Sequence, residues 1–441
     1  MLFGFKQNVK ILRVDDLMKK RILCFFLLLG VMICFIGCTA QPEDEGIIPT
    51  MGTTLTQAKI SPSQTEEMRA VWINYNELSM SQSGGGDEGQ FREKISRMFD
   101  RVVSLGLNTV FVHARAFSDA FYQSEIFPAS KYMTGTQGVD PGYDPLAIAV
   151  EEAHKRDLQI HAWINPYRVS LDQDFDNLCD TNPAKKWYLE GGATDPRLIV
   201  CEQGIYYNPA SPEAQKLIID GVREIITGYD IDGIHYDDYF YPSTEASIDK
   251  TSYQAYLDTG GKYSLEEWRC ENVNNFVSGV YSVVKGIVPE IRVSISPSAN
   301  IEYNEEKMYA DVRLWAQTPG YCDDIIPQVY YGFENETLPF EATVKQWNEL
   351  CTSDTVRLCF GLAFYKCGDV DEFASSSDDP NSARYEWQRR DDIIVRQIEL
   401  IRSLSQYRGY ALYSYTSLSS PSNENARTEL KKYCDQLVDL T

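Results

Sequence analysis

Eight times from Met68 onward, a short β-rich run is followed by a stretch with helical patterning. That alternation constrains the fold more than any other feature of the chain. The runs are 69–74 (RAVWIN), 108–115 (NTVFVHAR), 158–165 (LQIHAWIN), 232–238 (DGIHYDD), 291–298 (IRVSISPS), 324–331 (DIIPQVYY), 357–365 (RLCFGLAFY) and 409–416 (GYALYSYT). Helical patterns occupy 91–105, 144–157, 212–228, 264–288, 340–351, 385–404 and 424–439, and only the segment after the fifth run is weak, with 306–316 as its best helix. Asp144-Pro145 and Ser211-Pro212-Glu213 each place an N-cap before a proline at the first helical position. Parallel neighbours need crossover connections, and eight consecutive β-then-α units predict an α/β fold closed as a (β/α)8 TIM barrel. The span 68–441 is longer than the roughly 250 residues typical of such barrels. Expanded connections are therefore expected at 166–211, 239–263 and 366–384, all after strand C-termini, where barrel sites form.

Upstream, Lys19-Lys20-Arg21 precede an uncharged apolar run of 16 residues, 22–37, that ends at Gly37-Cys38. It is short for a bilayer span, which needs about 20 residues. A basic region, an apolar region and a small residue before cysteine describe a lipoprotein signal peptide, with Cys38 lipidated after cleavage. Met18 opens a well-formed signal, so translation is expected to start there. Residues 39–67, rich in Pro, Gly, Thr, Gln and Glu, read as a flexible tether. The full chain carries 41 Lys plus Arg against 64 Asp plus Glu, a net charge of -23, which becomes -27 without residues 1–37. So acidic a body is a poor match for nucleic acid, whose phosphates demand a basic footprint. Eight of the 11 cysteines lie beyond the signal region with no C-x-x-C, so neither a metal cluster nor a cofactor is expected. A Cys179–Cys201 bridge and two inert thiols are equally compatible with the spacing.

Residues at i and i+2 on a strand share a face, so polar pairs near strand C-termini should point together into the barrel mouth. Six runs carry such pairs: Trp72/Asn74, His113/Arg115, Trp163/Asn165, His235/Asp237, Ser294/Ser296 and Gln328/Tyr330. One pair alone is as readily structural, but six on one rim point to a site. The densest acidic point is IDGIHYDDYFYP at 231–242. Glycosidic cleavage generally uses two carboxyl groups, and parity with His235 turns Asp237 inward while Asp238 falls where the strand should break. Asp119 and Glu302 are further candidates for the second acid. Tyr167, Tyr206, Tyr207, Tyr331 and Tyr365 are candidate sugar platforms.

Together these stretches resemble the glycosyl hydrolase-like 10 family of bacterial lipoproteins. The likeness runs through MRAVWINYNELS (68–79), LGLNTVFVHARAFSDAFYQSEIFP (105–128), GYDPLAIAVEEAHKRDLQIHAWINPYR (142–168), YYNPASPEAQ (206–215), YDIDGIHYDDYFYP (229–242), RVSISPSA (292–299) and DDIIPQVYYG (323–332). It implies a TIM-barrel glycoside hydrolase at the cell envelope, one branch of which is similar to a division-site enzyme that cleaves peptidoglycan strands stripped of stem peptides. By motif, Asp237-Asp238 fall on the family's strand-four acids. Arg115, Asp119, Trp163, Asn165 and Gln328 fall on its strand-end positions, and Asn208 joins the expected substrate contacts. Peptidoglycan sugars carry 2-acetamido groups. Adjacent acids then suggest substrate assistance, with Asp237 polarising the acetamido group and Asp238 protonating the leaving oxygen. The competing scheme makes Asp237 the nucleophile of a retaining pair whose acid is Asp119, Asp238 or Glu302. Two other classes stay open: a non-catalytic glycan-binding lipoprotein, and a metal-dependent hydrolase built on His113, His161 and His235.

Overall fold

The computed structural model describes residues 67–438 apart from Gly84. The expected signal peptide, the Met18 start and the lipidated Cys38 lie outside the described residues, as does the tether up to residue 66. Glu67, assigned to that tether, is instead tied to the barrel base: its carboxylate accepts from Arg402 Nη2 and Nε at 2.6 and 2.7 Å and from the Tyr407 hydroxyl.

Eight parallel strand positions close on themselves: β1 (Met68–Ile73), β2 (Thr109–Arg115), β3 (Gln159–Ile164), β4 (Gly233–Asp237), β5 (Arg292–Ser296), β6, β7 (Arg357–Leu362) and β8 (Tyr407–Leu412). β8 pairs with β1, which completes the ring. β6 comes in two pieces, Asp324–Ile325 and Gln328–Val329, where the sequence suggests one strand. The interruption falls at Pro327, which has no N–H for a ladder; its carbonyl still accepts from Gly361 N at 2.9 Å. The accompanying helices are α1 (Glu88–Ser104), α2 (Pro145–His154), α3 (Pro212–Gly228), α4 (Leu265–Ile287), α5 (Val312–Gln317), α6 (Phe340–Leu350), α7 (Ile393–Arg402) and α8 (Glu424–Val438). The weak fifth unit is thus a helix of six residues. Asp144 and Ser211 cap α2 and α3 by accepting from Ala147 N and Ala214 N, each with proline at the helix start.

Strand alternation separates two interiors. Outward residues such as Val71, Val110, Ile160, Ile234, Val293, Phe360 and Leu412 join the helices in the main apolar core. Inward residues Met68, Ala70, Trp72, Phe111, Trp163, Ile326, Cys359 and Ala411 fill the barrel. Two glycines make room among them: a Cβ at Gly233 would lie 2.3 Å from His161 Nδ1, and one at Gly361 would lie 3.1 Å from the Trp72 ring. At the base, buried Asp324 accepts from Arg292 at 2.7 and 2.8 Å and lies 3.3 Å from Arg357 Nε.

Two of the expanded connections have their own structure. The one after β3 holds an antiparallel sheet of Arg168–Ser170, Gly204–Tyr207 and Leu198–Cys201, with a helix over Pro183–Gly191. The one after β4 contains a helix over Lys250–Asp258 and is fastened to α4 by Arg269. That guanidinium donates to both Asp249 oxygens at 2.8 and 2.6 Å, to the carbonyls of Thr244 and Glu245, and to Tyr309 Oη. Both charged side chains are fully buried. Removing one member strands the other, so Asp249→Ala is expected to cost about 3–5 kcal/mol in chemical denaturation, with Arg269→Met plus Asp249→Leu recovering part of the loss.

Candidate active site

β4 ends at Asp237, and this carboxylate is only 4% exposed. Two neighbouring elements supply its donors. From β3, Trp163 Nε1 lies 3.2 Å from Oδ2. Just beyond β3, the Asn165 amide nitrogen donates to Oδ1 and Oδ2 at 2.9 and 2.6 Å. The orientation of that amide is set from the far side. Tyr75 N–H donates to His113 Nδ1 at 3.2 Å, so the neutral ring carries its proton on Nε2. His113 Nε2 then donates to Asn165 Oδ1 at 3.3 Å, and Arg168 Nη2 donates to the same oxygen at 2.9 Å. Burial, with help from the charge of Arg168, holds His113 well below its ordinary pKa, which keeps the ring neutral, and the Tyr75 N–H fixes its tautomer. Its ring also stacks on Trp163, with centroids 3.4 Å apart.

Asp238 leans toward the opposite wall. The Gln328 side chain and Ser298 N–H lie on that side and favour its ionised form, and Gln328 Nε2 donates to Ser296 O at 2.9 Å. Burial pushes Asp238 up to about 6. Burial and the neighbouring Asp238 push Asp237 up to about 7, while Arg168 and Trp163 pull it back. The two Asn165 N–H bonds favour its ionised form further. Near neutral pH the pair therefore shares one proton; burial and the adjacent carboxyl place Asp237 above Asp238, and the Asn165 N–H bonds act against that order.

Of the residues expected at the site, Trp163, Asn165, His113, Gln328, Asp237 and Asp238 do converge. Tyr330 and Tyr365 form an aromatic wall beside them, with ring centroids 5.9 Å apart, and Tyr365 is 39% exposed. Trp72 and His235 lie a layer deeper. Trp72 Nε1 donates to His235 Nε2 at 2.9 Å, and His235 Nδ1 bonds Ser294 Oγ at 2.8 Å, so both act as packing beneath the site.

The remaining assignments need correction. Arg115 does not face the mouth: the β2–β3 register slips after His113, so Arg115 sits opposite outward-facing Ile164. There it is buried, donating to Phe117 O and Pro166 O against the Phe127 ring. Asn74 caps the short helix Tyr75–Leu78. Tyr167 is buried against Phe240 and Phe276. Asn208 donates to Pro196 O and Ser252 Oγ within the connections, and Tyr207 is buried with its hydroxyl on Ser118. Tyr206 is buried in the small sheet opposite Arg168. Asp119 is fully buried, accepting from Lys131 N and Gln137 Nε2. Glu302 points to solvent, 68% exposed, beside Arg313. Neither acid reaches the pair.

The three histidines do not form a ligand set: the rings of His113 and His235 are engaged as described, and His161 lies below them. Among the described residues no three His, Cys, Asp or Glu side chains are grouped to hold a metal ion, and all eight cysteines are free thiols.

Three mouth residues escaped the strand-parity argument: Arg168, Tyr239 and Tyr413. Tyr413 packs against Trp72, Tyr330 and Tyr365, and Tyr239 is 46% exposed under the Arg168 guanidinium. Each lies just past a strand end, where alternation no longer applies, so aromatic and cationic residues in NPYR and DDYFY were the available signal.

A closed (β/α)8 barrel with two carboxyls at its mouth has the parts that glycosidic cleavage uses. The chain belongs to the glycosyl hydrolase-like 10 family, whose model matches residues 67–377. It is 33% identical over 377 residues to Glycosyl hydrolase YngK of Bacillus subtilis, covering 80% of this chain and 69% of that one. Glycosyl hydrolase DigH of Escherichia coli K12 is 27% identical over 433 residues, covering 91% and 94%. Among solved structures, the catalytic domain of beta-amylase from Paenibacillus polymyxa shares the fold, with a TM-score of 0.51 at 11% identity over 84% of this chain and 98% of that one.

Asn165→Ala removes two donors from Asp237. The Asp237 carboxyl carbon is expected to titrate at higher pH than in the unaltered protein by NMR, and His113→Phe should shift it in the same direction by less.

Proposed function

We propose that the protein is an envelope-anchored glycoside hydrolase acting on N-acetylated glycan, namely the strands of peptidoglycan, through Asp237 and Asp238. The observation that carries this reading is the unequal support of the two adjacent carboxyls. Asp237 is buried and receives N–H bonds from Trp163 and Asn165, while Asp238 is only partly buried and has Gln328 and Ser298 beside it. Pairs of acids with divergent surroundings are how one site supplies an anion and an acid at one pH. Family membership supports hydrolysis of a glycan, the resemblance of the chain to envelope lipoproteins supports peptidoglycan, and the cleavage motif ending at Cys38 supports anchoring.

In this mechanism Asp237, ionised, accepts the acetamido N–H and polarises that group. The acetamido oxygen attacks the anomeric carbon as the glycosidic bond breaks, and Asp238 gives its proton to the departing oxygen. Asp238, now ionised, takes a proton from the water that opens the cyclic intermediate, which restores the starting state. The retaining alternative, with Asp237 as nucleophile, has only Asp238 left as acid, because Asp119 is buried away from the mouth and Glu302 is in solvent.

Asp237→Asn and Asp238→Asn are each expected to lower kcat on peptide-free strands by about 10²–10⁴-fold, read by mass spectrometry of released reducing disaccharides; full activity in both would refute the assignment. Below both pKa values the pair loses its anion and above both it loses its acid. kcat/KM should therefore be bell-shaped with its maximum between the values of about 6 and about 7. Failure of a thiazoline inhibitor to bind would count against acetamido participation.

A further inference from the structure

Arg168 is a half-buried cation at the mouth whose charge acts on Asp237, Tyr239, Tyr413, Tyr132 and Tyr206. Its guanidinium is held between two rings, with Cζ 4.7 Å from the Phe117 centroid and 5.3 Å from that of Tyr239. Two aromatic contacts hold the cation in place while leaving its N–H groups to hydrogen bonding. Nη2 is used on Asn165 Oδ1 at 2.9 Å, and Nε makes a long bond to Ala116 O at 3.4 Å. Arg156 and Arg197 pair with carboxylates at 2.7–2.8 Å. Among the described residues Arg168 has no such partner, and Nη1 has no acceptor. It reaches Asp237 through the Asn165 amide and not by an ion pair. In a chain carrying 64 acidic residues, a clamped guanidinium without a carboxylate beside the acid pair is matched to an anion brought by the ligand.

We infer that Arg168 is a specificity residue that binds a free carboxylate borne by a sugar of the substrate. This rests on the hydrolase reading above for its location and goes beyond it in substrate chemistry. In a peptidoglycan strand the group is the lactyl ether carboxylate of an N-acetylmuramic unit. That oxyanion is present once the stem peptide is removed and is replaced by a neutral amide while the peptide remains. A uronic acid residue offers the same planar oxyanion from another source. The remaining edge of the guanidinium suits such a two-oxygen group, and exchange for lysine would keep the charge while losing the fork.

The test compares peptide-free strands with the same strands after reduction of their carboxyls to alcohols, with peptide-bearing strands, and with a uronate polymer. The full chain is used, with calorimetric Kd and product release measured separately. The carboxylate strand is expected to bind roughly 10- to 100-fold tighter than the reduced or peptide-bearing one. In Arg168→Gln, with its folded state checked by thermal denaturation, that ratio should fall to about one, and Arg168→Lys should restore part of it. Equal affinities in the unaltered protein, or a preference that survives Arg168→Gln, would overturn the inference. Binding with the expected preference but no product would overturn the hydrolase reading and leave this one standing. Cleavage without preference would do the reverse. Tight binding of the uronate polymer by the unaltered protein but not by Arg168→Gln supports carboxylate recognition and shifts its source from muramic acid.

Discussion

Pairing of β8 with β1 leaves the parallel sheet without an edge, and the rest of the molecule follows from that closure. Every second residue of each strand is committed to a narrow interior, where its size and polarity must suit neighbours on the adjacent strands. Trp72, Phe111 and Trp163 fill that space, and Gly233 and Gly361 are small because a ring already occupies the volume a side chain would need. The same closure sends the last inward residue of each strand to a common rim. Asp237, Trp163 and His113, far apart in sequence, are thereby brought within bonding or stacking distance.

Placing two carboxyls at that rim costs solvation, and the surroundings respond differently on the two sides. Asp237 faces N–H groups arranged by a chain of bonds that begins at a backbone amide, passes through one histidine tautomer and ends in an oriented side-chain amide. Asp238 faces the split β6 and the end of β5, where Gln328 and Ser298 meet it. The break at Pro327 lies one residue before Gln328, so the irregularity in the ladder and the placement of that amide belong to one stretch of chain.

The barrel was legible in the sequence because its signals repeat: eight runs, seven firm helices and proline-marked caps agree with one another. The acid pair was legible for a related reason, since strand parity is a rule of regular backbone and β4 is regular up to Asp237. The same rule misplaced Arg115, because the register slip in β2 leaves no mark in NTVFVHAR. It also said nothing of Arg168, Tyr239 and Tyr413, which lie past the last regular residue of their strands. Asp119 and Glu302 illustrate the opposite difficulty. Both are acids in suitable loops, but what separates a buried staple from a solvent-facing side chain is tertiary packing that local sequence does not encode.

The burial of His113 has a consequence for how the site behaves in solution. A frame built on a charged histidine would itself respond to acidity, since protonation would remove the acceptor at Nδ1, release the Tyr75 amide and free Asn165 to rotate. With the imidazole held well below its ordinary pKa, it stays neutral under conditions in which an exposed histidine would begin to charge. Of the groups that frame Asp237, the histidine is thus kept from adding a charge change of its own to that of the acids.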